Sequence, residues 1–300
     1  MSEVSAAGRL TVIVPHYNSP QTLIRLIQSI PDQDWIEIVV VDDNSSDPLP
    51  SLDAIYPRVR VFSVPQGRKG GGAARNVGLQ NSQSDWVLFA DADDLFVAGA
   101  FEQIERYRHS DLDAVYFAPT SMKEKTGGIG ERHLHYKGLL EKYARTSDKS
   151  MLYKYFVPWS KLVSRRLIDA HSISFDEVIA SNDMNFSLKV AFYSNRLAVD
   201  MAPIYCVTES EQSLTKQTSL AVLESRFYAV VRYNQFLKSH GKGEHQIGIN
   251  LQIYNMRRLG FLTVMKYLGY ALKTGMPLQR GLKHLAMQIR KDMRAGQASI

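Results

Sequence analysis

"VLFADADDLF" occupies residues 87–96, and its two halves pull in opposite directions. Val87, Leu88, Phe89 and Ala90 read as a strand buried on both faces, the pattern of a parallel sheet. The run then ends in Asp91, Asp93 and Asp94. At about 4 Å, two like charges repel by roughly 1 kcal/mol in water and roughly 4 kcal/mol at an effective dielectric near 20. Such an end needs solvent, basic partners or a bound cation. If the chain stays extended, Asp91 and Asp93 point to one side at about 6–7 Å. That suits a hard divalent cation, which takes one or two carboxylates and fills its shell with phosphate oxygens and water. The simpler reading is a solvated acidic turn, with Asp94 capping a following helix.

The preceding segments have the same character. LTVIVP (10–15), IEIVVVDD (36–43) and VRVFSV (59–64) are three further apolar strands. Helix-compatible stretches separate them. Pro20 sits in a first turn ahead of Leu23, Ile24, Ile27 and Ile30, and another helix is expected over 73–80. The expected fold is α/β: a Rossmann-like, mostly parallel central sheet flanked by helices. Ligands of such sheets bind beyond the carboxyl ends of the strands, where Pro15, Asp42, Asp43, Asp91 and Asp93 all fall. The middle of the chain is mixed, with strands expected at AVYFA (114–118) and LAVDM (197–201) and a loop at TGGIGERHLHYKG (126–138). From about Thr218 onward the pattern is helical.

The chain has 300 residues, 45% hydrophobic and 22% charged, which is the composition of an ordinary globular protein. MSEVSAAGR lacks the apolar core of a secretory signal. No apolar run approaches the roughly 20 residues needed to span a bilayer, and Cys206 stands alone. A cytoplasmic location is expected. The net charge of +6 is uneven: from Arg226 onward, 13 Lys and Arg face only Glu244 and Asp292. An acidic body carries a basic, anion-seeking tail.

Four motifs occur in order: VIVPHYN at the first strand, VVVDDNSSD at the second, GGGAARNVGL before the fourth and FADADD after it. Together they resemble the nucleotide-binding half of family 2 glycosyltransferases, which have the GT-A fold. PWSKLVSRRLI and FDEVIASNDMNFSLKV resemble the acceptor side of that family, and the resemblance covers roughly residues 9–208. It implies a GT-A domain over 1–215, with a nucleotide-sugar-binding half (1–100) and an acceptor half (101–215), followed by a basic helical C-terminal region (216–300).

The resemblance also implies roles. Pro15 and Tyr17 border the nucleobase. Asp43 reads a uracil ring, supported by Asp42; the alternative for the pair is turn capping with Ser45 and Ser46. Gly70 to Gly72 allow close backbone approach, and Arg75, in the first turn of the next helix, meets phosphate. Asp91 lies near the ribose, and Asp93 binds the metal, Mn²⁺ or Mg²⁺. The base is expected in a Glu-Asp pair. Here that pair is Asn182–Asp183, so Asp183 is the expected base, with Glu177 as fallback. Period alone reads 184–190 as a strand, whereas the family has a helix there. Trp159, Lys161 and Asn182 are candidates for acceptor or sugar contacts. His133 and His135 are read as exposed loop residues.

The implied activity is inverting transfer from a UDP-sugar to a hydroxyl acceptor, in bacterial polysaccharide or lipid-linked glycan synthesis. Two other classes stay open. A nucleotidyltransferase would place its glycine-rich loop directly after the first strand, where VIVPHYN stands instead. A non-catalytic nucleotide-sugar-binding protein has Asn182 as its support. A NAD site is excluded because the glycines lack the G-x-G-x-x-G spacing. In the tail, Leu278, Leu282, Leu285, Ile289 and Met293 form one helix face, flanked by Arg280, Lys283, Arg290, Lys291 and Arg294. Residues 257–294 thus suit an anionic membrane surface, on the cytoplasmic face of an inner membrane, or else pack on the body or on a second subunit as a homodimer. No recognition motif for nucleic acid accompanies these charges.

Overall fold

The computed structural model describes residues 8–47, 49–210 and 217–297. The strands are β1 (Leu10–His16), β2 (Ile36–Asp42), β3 (Val59–Ser63), β4 (Trp86–Phe89), β5 (Leu95–Phe96), β6 (Ala114–Lys123), β7 (Lys161–Ser164) and β8 (Leu197–Glu209). Helices of the first two hundred residues are α1 (Pro20–Gln28), α2 (Gly71–Gln80), α3 (Ala100–Glu105), α4 (Leu134–Thr146), α5 (Ser150–Tyr153), α6 (Arg165–Ala170) and α7 (Met184–Tyr193). Later come α8 (Leu220–Ser239), α9 (Asn250–Asn255), α10 (Phe261–Lys273) and α11 (Leu282–Gln297).

The eight strands form one sheet in the order β3-β2-β1-β4-β7-β6-β8-β5. β1 runs parallel to β2 and β4, and β2 parallel to β3. The apolar runs explain this half: Val12, Ile13, Val14, Val39, Val40, Leu88 and Phe89 are fully buried, as strands covered on both faces must be. α2 lies close on β1 because Gly78 has no side chain; a Cβ there would come within 2.3 Å of Ile13 Cγ2. β7 enters antiparallel between β4 and β6, β8 runs parallel to β6, and β5 pairs antiparallel with β8.

Several local expectations change. β6 and β8 extend well past the apolar cores that announced them. α4 begins inside the expected loop at 126–138. Residues 184–193 are helical despite their alternation, because Phe186, Leu188, Val190 and also Ser187 are all buried, so polarity there does not mark an exposed face. His133 is buried, its Nδ1 2.7 Å from Ser121 Oγ, contrary to its reading as an exposed residue.

The chain divides into two compact units, Met1–Val178 with Asn182–Ser213 and Ile179–Ser181 with Leu214–Ile300; the boundary expected at 215–216 lies outside the described residues. Within the second unit, Phe227 of α8 meets Tyr267 and Tyr270 of α10 edge-on, at 4.8 and 5.7 Å. Arg280, expected to flank an anionic surface, is instead a clasp. Its Nη1 donates to the carbonyls of Gly243, Glu244 and Gln246 at 2.7–2.9 Å. Leu278 precedes α11, and Leu285 and Ile289 are half-buried. The side chains of Lys291 and Arg294 lie outside the described residues.

Candidate active site

The carboxyl ends of β1, β2 and β4 bring the sequence motifs to one rim. At β1, His16 is buried and its Nδ1 lies 2.9 Å from Asp42 Oδ1. Ser19 N donates to His16 Nε2 at 3.1 Å, so the ring proton sits on Nδ1 and is donated to Asp42. Ser45 donates to both Asp42 oxygens, from its amide at 3.0 Å and its hydroxyl at 2.6 Å. Burial pushes the Asp42 carboxyl up, but the Ser45 and His16 hydrogen bonds more than offset it, leaving it below the ordinary range. Asp42 therefore organises the turn after β2.

Asp43 differs. Its Oδ2 accepts from Gly70 N at 2.7 Å, while Oδ1 is buried with no partner. Burial, with the neighbouring Asp42 charge, holds this carboxyl above its usual range despite the Gly70 bond. An orphaned buried oxygen is costly unless a donor arrives from outside. Pro15 is half-buried and Tyr17 exposed beside it.

Gly70, at φ 93°, opens α2 in a conformation that side chains resist. At Gly72 the close approach is to protein: a Cβ would meet Asp176 O at 2.2 Å. Arg75, one turn on, is buried rather than forming a surface pair. Its Nη1 donates to Asn182 Oδ1 at 2.9 Å, its Nη2 pairs with Asp91 Oδ1, and its Nε is buried and unpartnered.

The 91–94 segment is a turn, not an extended strand, since Asp94 N donates to Asp91 O at 3.0 Å. Asp91 N donates to the Tyr205 hydroxyl oxygen at 2.8 Å. Asp93 as a residue is exposed, while Arg25 Nη2 holds its carbonyl at 2.9 Å. The protein enclosing it, and then the Asp91 charge, raise its carboxyl above the usual range. Asp94 does not cap a helix. It is buried at the start of β5 and accepts from Thr208 N of β8 at 2.7 Å, which fixes the turn to the sheet.

Asp183 stands at the N-terminus of α7. Burial raises its carboxyl, Arg75 opposes this, Asp91 adds to it and Lys161 also opposes it. Glu177, the fallback base, is committed: Arg68 Nε donates to it at 2.8 Å and Asn76 Nδ2 at 2.9 Å. Trp159 and Lys161 are buried and present no surface to a sugar. Trp159 stacks on Tyr205 at 5.7 Å, which makes it a packed wall behind the acidic turn. Among the described residues, no group of three or more His, Cys, Asp or Glu side chains converges on a metal position. Sequence reasoning missed His16, Asn76 and Tyr205; only the His16–Asp42 pairing, across adjacent strand ends, had a sequence signal.

The family described as Glycosyl transferase family 2 matches residues 11–171. EpsH of Bacillus subtilis is 25% identical over 253 residues, covering 78% of this chain and 71% of its own. The poly(ribitol-phosphate) β-N-acetylglucosaminyltransferase TarS of Staphylococcus aureus is 26% identical over 237 residues, or 75% of this chain and 39% of TarS. The crystal structure of TarS residues 1–349 with UDP-GlcNAc superposes with a TM-score of 0.67 at 21% identity, covering 90% of this chain and 82% of that one. That likeness gives the fold, GT-A, with its mostly parallel sheet flanked by helices. The motifs gathered at this rim and the match over more than half the chain place the protein in glycosyltransferase family 2.

Proposed function

We propose that the protein is an inverting glycosyltransferase that moves one sugar from a UDP-sugar to a hydroxyl acceptor, with Mn²⁺ or Mg²⁺ at Asp93. The observation that carries this reading is the Arg75 bridge. It ties the glycine-rich helix, the acidic turn through Asp91 and the Asn182–Asp183 pair into one site. Asp43 Oδ1, buried and unpartnered, suits the imide N–H of uracil, with Pro15 and Tyr17 bordering the ring. Arg75 Nε and the backbone N–H groups of Gly71 and Gly72 are the donors left for phosphate, the Gly70 amide being held by Asp43. Gly72 serves chiefly to let α2 approach Asp176.

The donor set fits a hard cation. Asp93 and the second oxygen of Asp91 offer two carboxylates at most, and such ions take their remaining ligands from phosphate and water. When bound, the ion neutralises charge on the departing diphosphate. Asp183 accepts the proton of the acceptor hydroxyl, whose oxygen attacks the anomeric carbon opposite the diphosphate. A mannosyltransferase from Pyrobaculum calidifontis, solved with GDP-Man and Mn²⁺, superposes with a TM-score of 0.56, which supports the metal but makes the nucleobase the point to test. A panel of UDP-, GDP- and ADP-sugars, read by diphosphate release, is expected to show UDP turnover alone, and Asp43→Ala to weaken UDP binding about tenfold or more. Faster turnover of a GDP-sugar would overturn the assignment of Asp43.

The acceptor is a glycan or lipid-linked glycan. A Campylobacter jejuni relative, 32% identical over 150 residues, is a GalNAc(5)-diNAcBac-PP-undecaprenol β-1,3-glucosyltransferase. A membrane-borne acceptor agrees with α10. Its outer face exposes Phe261 (74%), Leu262 (82%), Met265 and Leu272, with Lys266 and Lys273 on one edge and Arg258 before it. No helix among the described residues is long and apolar enough to cross a membrane. An exposed apolar strip edged with cations suits the anionic surface of a leaflet, here the cytoplasmic face of a bacterial inner membrane. Flotation with phosphatidylglycerol-containing vesicles is expected to carry wild type and not Phe261→Glu/Leu262→Glu. A dimer in light scattering, without vesicle binding, would reassign this face to a second copy.

A further inference from the structure

Asn76 follows Arg75 on α2 and is buried, its amide engaged by the segment ahead of α7. Phe175 N donates to Asn76 Oδ1 at 2.9 Å, while Asn76 Nδ2 donates to Phe175 O at 3.1 Å and to Glu177 Oε1 at 2.9 Å. One side chain thus meets both backbone groups of Phe175, as an antiparallel strand neighbour does. The platform so fixed carries the first turn of α7. Asp176 N donates to Asn182 O at 3.1 Å, Asn185 Nδ2 donates to Asp176 Oδ2 at 2.6 Å, and the Phe175 ring stacks on Phe186 at 4.0 Å. Asp183 lies between Asn182 and Asn185, so bonds to Asp176 bracket it on both sides. α2 adds two more contacts. Arg75 Nη1 holds Asn182 Oδ1 at 2.9 Å, and Gly72 lies so close to Asp176 that a Cβ would meet its carbonyl oxygen at 2.2 Å.

We propose that Asn76 is a positioning residue of the transfer reaction: by fixing residues 175–176 to α2, it sets where Asp183 stands relative to Arg75 and the acidic turn. The proposal rests on the reading of Asp183 as the base. Adjacent residues of one helix hold the two ends of a single segment, Asn76 at Phe175 and Arg75 at Asn182. Arg75 also pairs with Asp91, so one turn of α2 is the common reference for the base and for the acidic turn. Stability alone asks only that the buried polar groups of Phe175 find partners. Placing a base asks more, that the partner be rigid with respect to the rest of the site. Proton transfer is steep in distance, and a displacement of about 1 Å can lower a rate by about 10²-fold.

Two variants grade the effect. Asn76→Ala loses all three bonds; Asn76→Asp keeps the acceptor for Phe175 N, loses the donor to Phe175 O and sets a carboxyl against Glu177. In the full-length protein, kcat for UDP release is expected to fall about 10²-fold in Asn76→Ala and about tenfold in Asn76→Asp. KM for the donor, UDP affinity and the Mn²⁺ requirement should stay at wild-type values, since the groups assigned to them stand at other strand ends. On an Asp183→Asn background, Asn76→Ala should lower kcat by less than about twofold further, because the group it positions has gone. If Asn76→Ala does not fold, Asn76→Asp carries the same cycle. A lower melting temperature with kcat per folded molecule unchanged would overturn the proposal, as would a matching loss of UDP affinity or losses that multiply across the cycle. Full activity in Asp183→Asn alone removes the base itself, a failure visible before the cycle is built.

Discussion

Asp183→Asn should lower kcat for sugar transfer by about 10²–10⁴-fold, the usual worth of a positioned general base, while UDP binding measured by calorimetry stays at the wild-type level. The reasoning starts from placement. Asp183 heads α7, and burial raises its carboxyl above the usual range despite Arg75 and a bond from its own backbone N–H. A carboxyl poised in this way takes a proton more readily than a solvated one. The donor's uracil and phosphates are assigned to groups at other strand ends, so binding is spared. Activity in wild type should climb with pH through a value above that of an ordinary aspartate, because only the ionised form accepts the proton. A folded Asp183→Asn protein that turns over at the wild-type rate would sink the role, and Glu177, pulled down by Arg68, would not replace it. The Asn in place of the usual Glu also finds an account. A neutral Asn182 takes one arm of Arg75 as a hydrogen-bond acceptor without adding a further carboxylate beside Asp183 and Asp91.

What was legible beforehand divides along physical lines. β1, β2 and β4 could be read because continuous Val, Ile and Leu runs admit few other fates. β5 and β7 could not: one has two residues, the other four, and β7 begins with a lysine. Charge patterns place a lysine at the surface, and only the fold shows Lys161 inside an aromatic shell. The acidic cluster was legible as a site but not as a shape. Its spacing suggested an extended pair, whereas the Asp94–Asp91 turn and the Thr208 bond to Asp94 set the geometry. Arg75 shows the same limit. Position in the sequence pointed to phosphate, but its partners, Asp91 and Asn182, are 16 and 107 residues away. In the tail, the 278–293 face that periodicity favoured does expose Leu282 and Met293, but α10 exposes a second apolar strip at Phe261, Leu262, Met265 and Leu272.

Chelation should do to wild type what Asp93→Asn does permanently. Enclosure first, and then repulsion from Asp91 across the acidic turn, raise the carboxyl of Asp93 above its usual range. Arg75 pairs with Asp91 through Oδ1, whereas Asp93 has only the weaker pull of Arg132 against its enclosure and the Asp91 charge. A divalent ion with its diphosphate relieves this, so ion and nucleotide should bind cooperatively: UDP affinity is expected to fall at least tenfold in EDTA and to return with Mn²⁺. Losing Lewis-acid support for the leaving group is worth several kcal/mol, so turnover should drop about 10³-fold or more. Asp93→Asn should show the same loss, no rescue by Mn²⁺, and a melting temperature in free protein at or above wild type, because a repulsive charge has gone. A destabilised Asp93→Asn protein that still released UDP with Mn²⁺ present would make Asp93 a structural residue of the turn and move the metal reading elsewhere.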